Sequence, residues 1–227
     1  MRSFGSRVDT RVVDEPLYGH YLATTSASHP GREELVDQLE TDARRAIAEV
    51  ILGPSDRPIL FCKQMAHHLT PDVDLAFLDR CDNVLLIRHP AEVITSLSKN
   101  VPEPTARDIG LDRQVELLEE LRKIGQEPVV LDATELLLDP ESVLKELCRR
   151  LEITWDAAML SWEPDPRPED GPWAPYWYDS VIRSTGFEPY RPKRRPVAAR
   201  HNELLENSLP AYEKLFQLAI RAAAAPA

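Results

Sequence analysis

Short runs of wholly apolar residues alternate along this chain with longer segments whose apolar residues recur every three or four positions. The first run, Arg11 to Glu15, holds Val12-Val13 and ends at Pro16, which predicts a short buried strand leading into a loop. Over residues 32 to 52, Leu35, Leu39, Ala43, Ile47 and Val50 stand four and three apart. That spacing predicts one amphipathic helix, stopped by Gly53-Pro54. Pro58 to Lys63 and Asn83 to Arg88 read as the second and third strands. Pro90 is placed to start a helix running to about Lys99. Leu111, Val115, Leu118 and Leu121 mark a helix closed by Gly125, Pro128 to Asp132 is a fourth strand, and Asp139-Pro140-Glu141 caps a helix with Val143, Leu147 and Leu151 on one face.

Strands that are apolar throughout and alternate with helices belong in a parallel sheet covered on both faces. The expectation is an α/β protein, a three-layer α/β/α arrangement with a mainly parallel sheet, as a single domain over residues 1–227. From about residue 163 the pattern changes. Residues 163–196 are rich in Pro, Trp and Tyr and include Gly171-Pro172-Trp173-Ala174-Pro175-Tyr176-Trp177-Tyr178. A loop of this length is expected to be a lid or binding loop, and its aromatics favour order. A last helix is expected over 199–223, with Ala222 to Ala227 as a frayed tail.

Charge narrows the partners. The formal net charge is −11, which argues against nucleic acid or an anionic membrane as ligand, because those surfaces need a positive footprint. It leaves room for a small basic pocket that holds one phosphate or sulfate. Cys62, Cys81 and Cys148 form no CxxC pair and read as reduced thiols, hence a reducing compartment. Met1 to Arg7 lacks the apolar run of a signal peptide. No run of about 18 apolar residues predicts a membrane span, so the expected location is cytoplasmic.

In open α/β sheets ligands bind beyond the carboxyl ends of the strands. Strand one delivers Asp14 and Glu15, then Tyr18 and His20. Strand two delivers Lys63, with His67 and His68 close behind. Strand three delivers Arg88 and His89, and strand four Asp132. Cations gathered at the ends of strands two and three are the layout of an anion site. Lys193-Arg194-Arg195 offers further cations or a solvated basic turn. Plainer roles fit the same residues: a strand-end ion pair for Arg88, a solvent-facing Ser96, a snorkelling Lys63. Adjacent His67 and His68 cannot both face one metal ion from a helix, and no metal set is expected.

The segment Arg88-His89-Pro90-Ala91-Glu92-Val93-Ile94-Thr95-Ser96 resembles the 3′-phosphate motif of the cytosolic sulfotransferases. Arg can fork onto phosphate oxygens, and a hydroxyl on the next helix can donate to another. Val12 to Leu22, Phe61 to Leu69, the Arg88 motif, Glu169 to Tyr178 and Ser184-Thr185-Gly186-Phe187 follow in an order similar to a bacterial sulfotransferase-like family. That domain is also joined to a branched-chain aminotransferase-like domain in plant proteins. The resemblance implies a P-loop NTPase-like fold and a 3′-phosphoadenosine 5′-phosphosulfate (PAPS) donor. It also implies transfer of a sulfuryl group to a hydroxyl or amine of a small molecule.

By that resemblance Arg88 and Ser96 hold the 3′-phosphate, and His68, or else His67, is the base beside Lys63, which neutralises the departing phosphate. Asp14 and Glu15 are alternative bases or acceptor-binding groups, and Trp173 and Trp177 lie in the substrate-binding loop. Two departures stand out. The Lys-x-His-Leu spacing of the cytosolic enzymes is replaced by Lys63, three residues, then His67-His68-Leu69. The family's opening strand and its Ser-Gly-Pro-Arg-Asn-x-Ser-Thr phosphate loop have no counterpart, so the expectation is a truncated chain that does not turn over PAPS as it stands. The alternative role is a non-catalytic nucleotide-binding or partner module.

Overall fold

Five short strands and the helices between them make an α/β protein, seen here in a computed structural model that describes residues 1–191 and 197–223. The cations at Lys193, Arg194 and Arg195, and the tail from residue 224, lie outside the described residues. The chain divides into two compact units, Met1–Phe77 with Asp156–Phe187, and Leu78–Trp155 with Glu188–Ala227.

In the first unit, β1 (Thr10–Asp14) pairs in parallel with β2 (Ile59–Lys63), in a register that sets Val12 against Phe61 and Asp14 against Lys63. Parallel pairing brings both carboxyl ends to the same edge, which is why an acid and a base 49 positions apart in sequence become neighbours. Glu15 leaves β1 with φ 39°, in the left-handed region. Its N–H donates to the Lys63 carbonyl at 2.7 Å. Successive side chains on a strand normally point to opposite faces. The turn at Glu15 breaks that alternation and lets both carboxylates reach one end of β2.

Helix α1 (Tyr18–Thr24) follows, then α2 (Arg32–Gln38). Tyr18, Tyr21, Leu22 and Leu35 pack with Trp173, Ala174 and Tyr178 in one aromatic-rich core. The single helix expected over 32–52 is interrupted. Leu39 is extended, Asp42 caps a new start by accepting from the Arg44 and Arg45 N–H groups, and Ala46–Ile51 continues as a wider π-helix. The break lays the backbone of Leu39 and Glu40 across Gly19, where a Cβ would stand 2.4 Å from the Glu40 carbonyl oxygen. The aromatic segment is described as far as residue 191. It forms two short helices, Ala174–Trp177 and Asp179–Ile182, and Ser161 bridges to Gly186.

In the second unit, β3 (Val84–Ile87), β4 (Val129–Asp132) and β5 (Ala219–Ile220) form a parallel sheet in the order β3-β4-β5. The strands are parallel as expected but lie in two sheets, and β2 and β3 are edge strands among the described residues. Helix α3 (Pro90–Leu97) begins at Pro90, with the His89 ring accepting from the Ala91 N–H at 3.3 Å. Helices α4 (Leu111–Lys123), α5 (Pro140–Arg150) and α6 (Asn202–Phe216) complete the unit. Asp139 caps α5 through the Ser142 N–H. Ile87, Ile94, Leu118, Val130 and Leu215 are fully buried in its core. Each such side chain contributes roughly 1.5–3 kcal/mol relative to exposure. The last helix ends at Phe216 rather than near residue 223, and Ala219 and Ile220 turn into β5 against Val130 and Leu131.

Candidate functional site

At the carboxyl end of β2 the Lys63 ammonium is surrounded by acceptors. It donates to Glu15 Oε1 and to Tyr178 Oη (3.1 Å), and lies 3.6 Å from Asp14 Oδ1. Burial pushes the Lys63 amine below its ordinary range, and the Asp14 charge opposes that shift. The Asp14 side chain has no exposure at all. Its Oδ2 accepts from Tyr178 Oη at 2.6 Å and from Trp173 Nε1 at 3.1 Å, while its Oδ1 makes no hydrogen bond among the described residues. Burial and the adjacent Asp14 charge push the Tyr178 phenol far up, so it stays neutral.

His68 lies deeper, at 1% exposure, where the one-turn helix Ala66–His68 follows β2. Its ring stacks on Tyr18 at 4.9 Å and meets Tyr21 at 4.7 Å and His67 at 4.6 Å. Nδ1 is 3.9 Å from Glu15 Oε2 and makes no hydrogen bond among the described residues. Burial, reinforced by His67, Lys63 and His29, holds this imidazole well below its usual range, so it is uncharged at neutral pH. His67 is half-buried with its ring 5.1 Å from Tyr21. Tyr18 Oη and His29 Nδ1 share a hydrogen bond of 2.9 Å, and His29 meets the edge of Trp177 at 5.5 Å.

The second unit presents a different set. Arg88, with a side chain 35% exposed, stands at the end of β3 and donates from Nε (2.8 Å) and Nη2 (2.7 Å) to Glu92 Oε2 on α3. The other Glu92 oxygen accepts from Tyr190 Oη at 3.1 Å. Ser96 is exposed in the second turn of α3. Asp132, fully buried at the end of β4, accepts from the Thr134 and Glu135 N–H groups and from Tyr212 Oη (3.1 Å). It acts as a helix cap and core anchor.

Of the residues singled out in the sequence, Asp14, Glu15, Lys63, His68 and Trp173 come together in the first unit, with His67 and Trp177 at the border of the same aromatic cluster. Trp173 is 4% exposed and its indole N–H is committed to Asp14. Arg88 and Ser96 belong to the second unit, one at the strand end and one on the helix that follows. Tyr178 and His29 were not singled out as site residues, and Tyr18 was gathered only among the groups that follow strand one. Tyr178 meets Asp14 across 164 positions, and no local pattern announces a contact of that range. Among the described residues no group of three or more His, Cys, Asp or Glu side chains is placed to hold a metal ion. No helix among them is long and apolar enough to cross a membrane.

Parallel strands with helices between them define an α/β protein, with a lysine–carboxylate–phenol cluster at the carboxyl end of β2 in the first unit and a strand-end arginine beside a helix start in the second. The chain belongs to the sulfotransferase domain family, which matches it over residues 1–219. It is 39% identical over 215 residues to Branched-chain-amino-acid aminotransferase-like protein 1 of Arabidopsis thaliana, a match covering 95% of this chain and 39% of that protein. To protein 2 of the same name and organism it is 36% identical over 215 residues, covering 95% and 38%. The chain thus spans about two-fifths of the length of these relatives. Among solved structures it is similar to a sulfotransferase domain from the curacin biosynthetic pathway, at 15% identity and a TM-score of 0.48, covering 86% of this chain and 78% of that one.

Proposed function

We propose that this domain, completed by a phosphate loop supplied from outside this sequence, uses PAPS as donor and transfers its sulfuryl group to a hydroxyl or amine of a small molecule. The observation that carries the reading is Arg88. It is a partly exposed guanidinium at the end of a parallel strand, with Ser96 exposed on the helix that follows, in a chain of this family. Arg88 and Ser96 hold the 3′-phosphate of the nucleotide, the fork by paired N–H groups and the hydroxyl by one more. Holding the phosphate requires Arg88 to share or release Glu92.

In the transfer, an oxygen–sulfur bond forms to the acceptor as the bond from sulfur to the bridging oxygen of the 5′-phosphate breaks. The Lys63 ammonium offsets the charge that develops on that oxygen. The acceptor proton goes to an imidazole, His68 or His67, with Glu15 beside His68 as the neighbouring carboxylate. His67 is the more accessible of the two rings. Trp177, at the border of the aromatic cluster, contributes an apolar face for the acceptor.

Substituting Arg88→Ala is expected to weaken binding of adenosine 3′,5′-bisphosphate by roughly 2 kcal/mol, the scale of a lost charge-assisted hydrogen bond. Calorimetric titration checks this, and equal affinity in both proteins would remove Arg88 from the site. A second reading, a nucleotide-binding or partner module without turnover, is favoured by one feature. Lys63 and Arg88 are each already paired with a glutamate of their own unit. Transfer of radiolabelled sulfur from PAPS to a panel of small alcohols and amines separates the two.

A further inference from the structure

The aromatic segment does more than cover the end of β2. Tyr178 Oη donates its proton to Asp14 Oδ2 at 2.6 Å and accepts from Lys63 Nζ at 3.1 Å. A hydroxyl has one proton, so donation to Asp14 fixes its orientation and aims a lone pair at the ammonium. Trp173 Nε1, from the same segment, donates to the same Asp14 oxygen at 3.1 Å. Two donors on Oδ2 hold a carboxylate that is itself wholly buried, and they leave Oδ1 facing Lys63 at 3.6 Å without a hydrogen bond of its own. The Tyr178 ring also lies beside the ammonium, whose nitrogen is 5.6 Å from the ring centre.

We infer that Trp173 and Tyr178 are positioning residues. Through Asp14 they fix where the Lys63 ammonium stands and keep it charged in a half-buried place. The inference rests on the reading of Lys63 as the group that meets the departing phosphate, but its physical content concerns Lys63 alone. Buried charges persist when they are paired and hydrogen-bonded, and here the pairing depends on a segment more than 100 residues away from β2. Glu15, Tyr178 and Asp14 share the Lys63 ammonium, so one that lost the last two would be held by Glu15 alone on a flexible stem.

Competitive acylation of the full chain, read residue by residue by mass spectrometry, measures this directly. Lys63 is followed across pH, with exposed Lys123 and Lys145 as internal standards. In the wild type, acylation of Lys63 is expected to be slower than that of the standards at pH 8. Tyr178→Phe removes the acceptor in direct contact with the ammonium, while Asp14 keeps its bond from Trp173. Labelling of Lys63 is expected to rise roughly tenfold, the scale of one lost charge-assisted contact, with the standards unchanged. Asp14→Asn removes the counter-charge and is expected to move the Lys63 labelling midpoint to lower pH. Trp173→Phe touches Asp14 but not Lys63 and is expected to fall between wild type and Tyr178→Phe.

If Tyr178 and Trp173 served only to fill the core, the variants would lower the melting temperature and leave the Lys63 profile where it was. That result overturns the inference. Wild-type Lys63 labelling as fast as the exposed standards overturns it as well, without any variant having to fold. Because none of these readings uses PAPS, a failed transfer assay beside a confirmed labelling pattern sinks the function of Lys63 and not its positioning.

Discussion

His68 shows what burial does to one side chain. It is held uncharged because removing an imidazolium from water is costly, and the nearby His67, Lys63 and His29 add to that cost. In the unfolded chain the same ring titrates near its ordinary value of 6.5. The folded value lies below the unfolded one, so the unfolded state binds the proton first. Stability is complete above about pH 6.5 and falls as the pH drops toward the folded value. The wild-type urea midpoint is therefore expected to decline between pH 7 and 5.5. The contribution of His68 has a limiting slope of about 1.4 kcal/mol per pH unit. His68→Phe keeps the stacking face toward Tyr18 and removes the titration, so its decline over that interval should be shallower. Asp14, Glu15, Lys63 and His68 were legible in the sequence because each follows an apolar strand. Tyr178 was not legible as their partner, because its place is decided by a contact made 164 positions away.

Elements were read well where periodicity and stop signals agreed. Pro90 and Asp139 start helices where they stand, and β1 to β4 fall within a residue of their apolar runs. The helix over 32–52 was misread because Leu35, Leu39, Ala43 and Ile47 keep helical spacing through a break. The competing signal was local. Asp42 caps the Arg44 and Arg45 N–H groups, and the extended backbone at Leu39 lets the chain pass against Gly19. Leu218-Ala219-Ile220 likewise continued an apolar pattern but ends in β5, since pairing with β4 decides a two-residue strand and periodicity cannot. Gly19→Ala tests the account of the break. Its methyl would stand 2.4 Å from the Glu40 carbonyl oxygen and 2.7 Å from Leu39 Cβ. The backbone must shift, at an expected cost of about 1–3 kcal/mol in urea unfolding. A variant as stable as the wild type would mean that the Leu39–Glu40 passage is not a packed feature.

For the molecule as a whole, membership in the sulfotransferase domain family and an acidic charge of −11 pull in one direction. A protein of this charge gathers few anions by its general field, so a bound nucleotide must be held by particular cations. Arg88, at the carboxyl end of β3, is the cation proposed for the 3′-phosphate. A guanidinium reading a 3′-phosphate distinguishes adenosine 3′,5′-bisphosphate from adenosine 5′-phosphate, which differs from it by that one group. The direct measurement is calorimetric titration of both nucleotides into the same protein at fixed salt. The bisphosphate is expected to bind at least tenfold more tightly, on the order of the 1.5–3 kcal/mol that one hydrogen-bonded charged contact is worth. Equal affinity for the two nucleotides, or binding of neither, would contradict it.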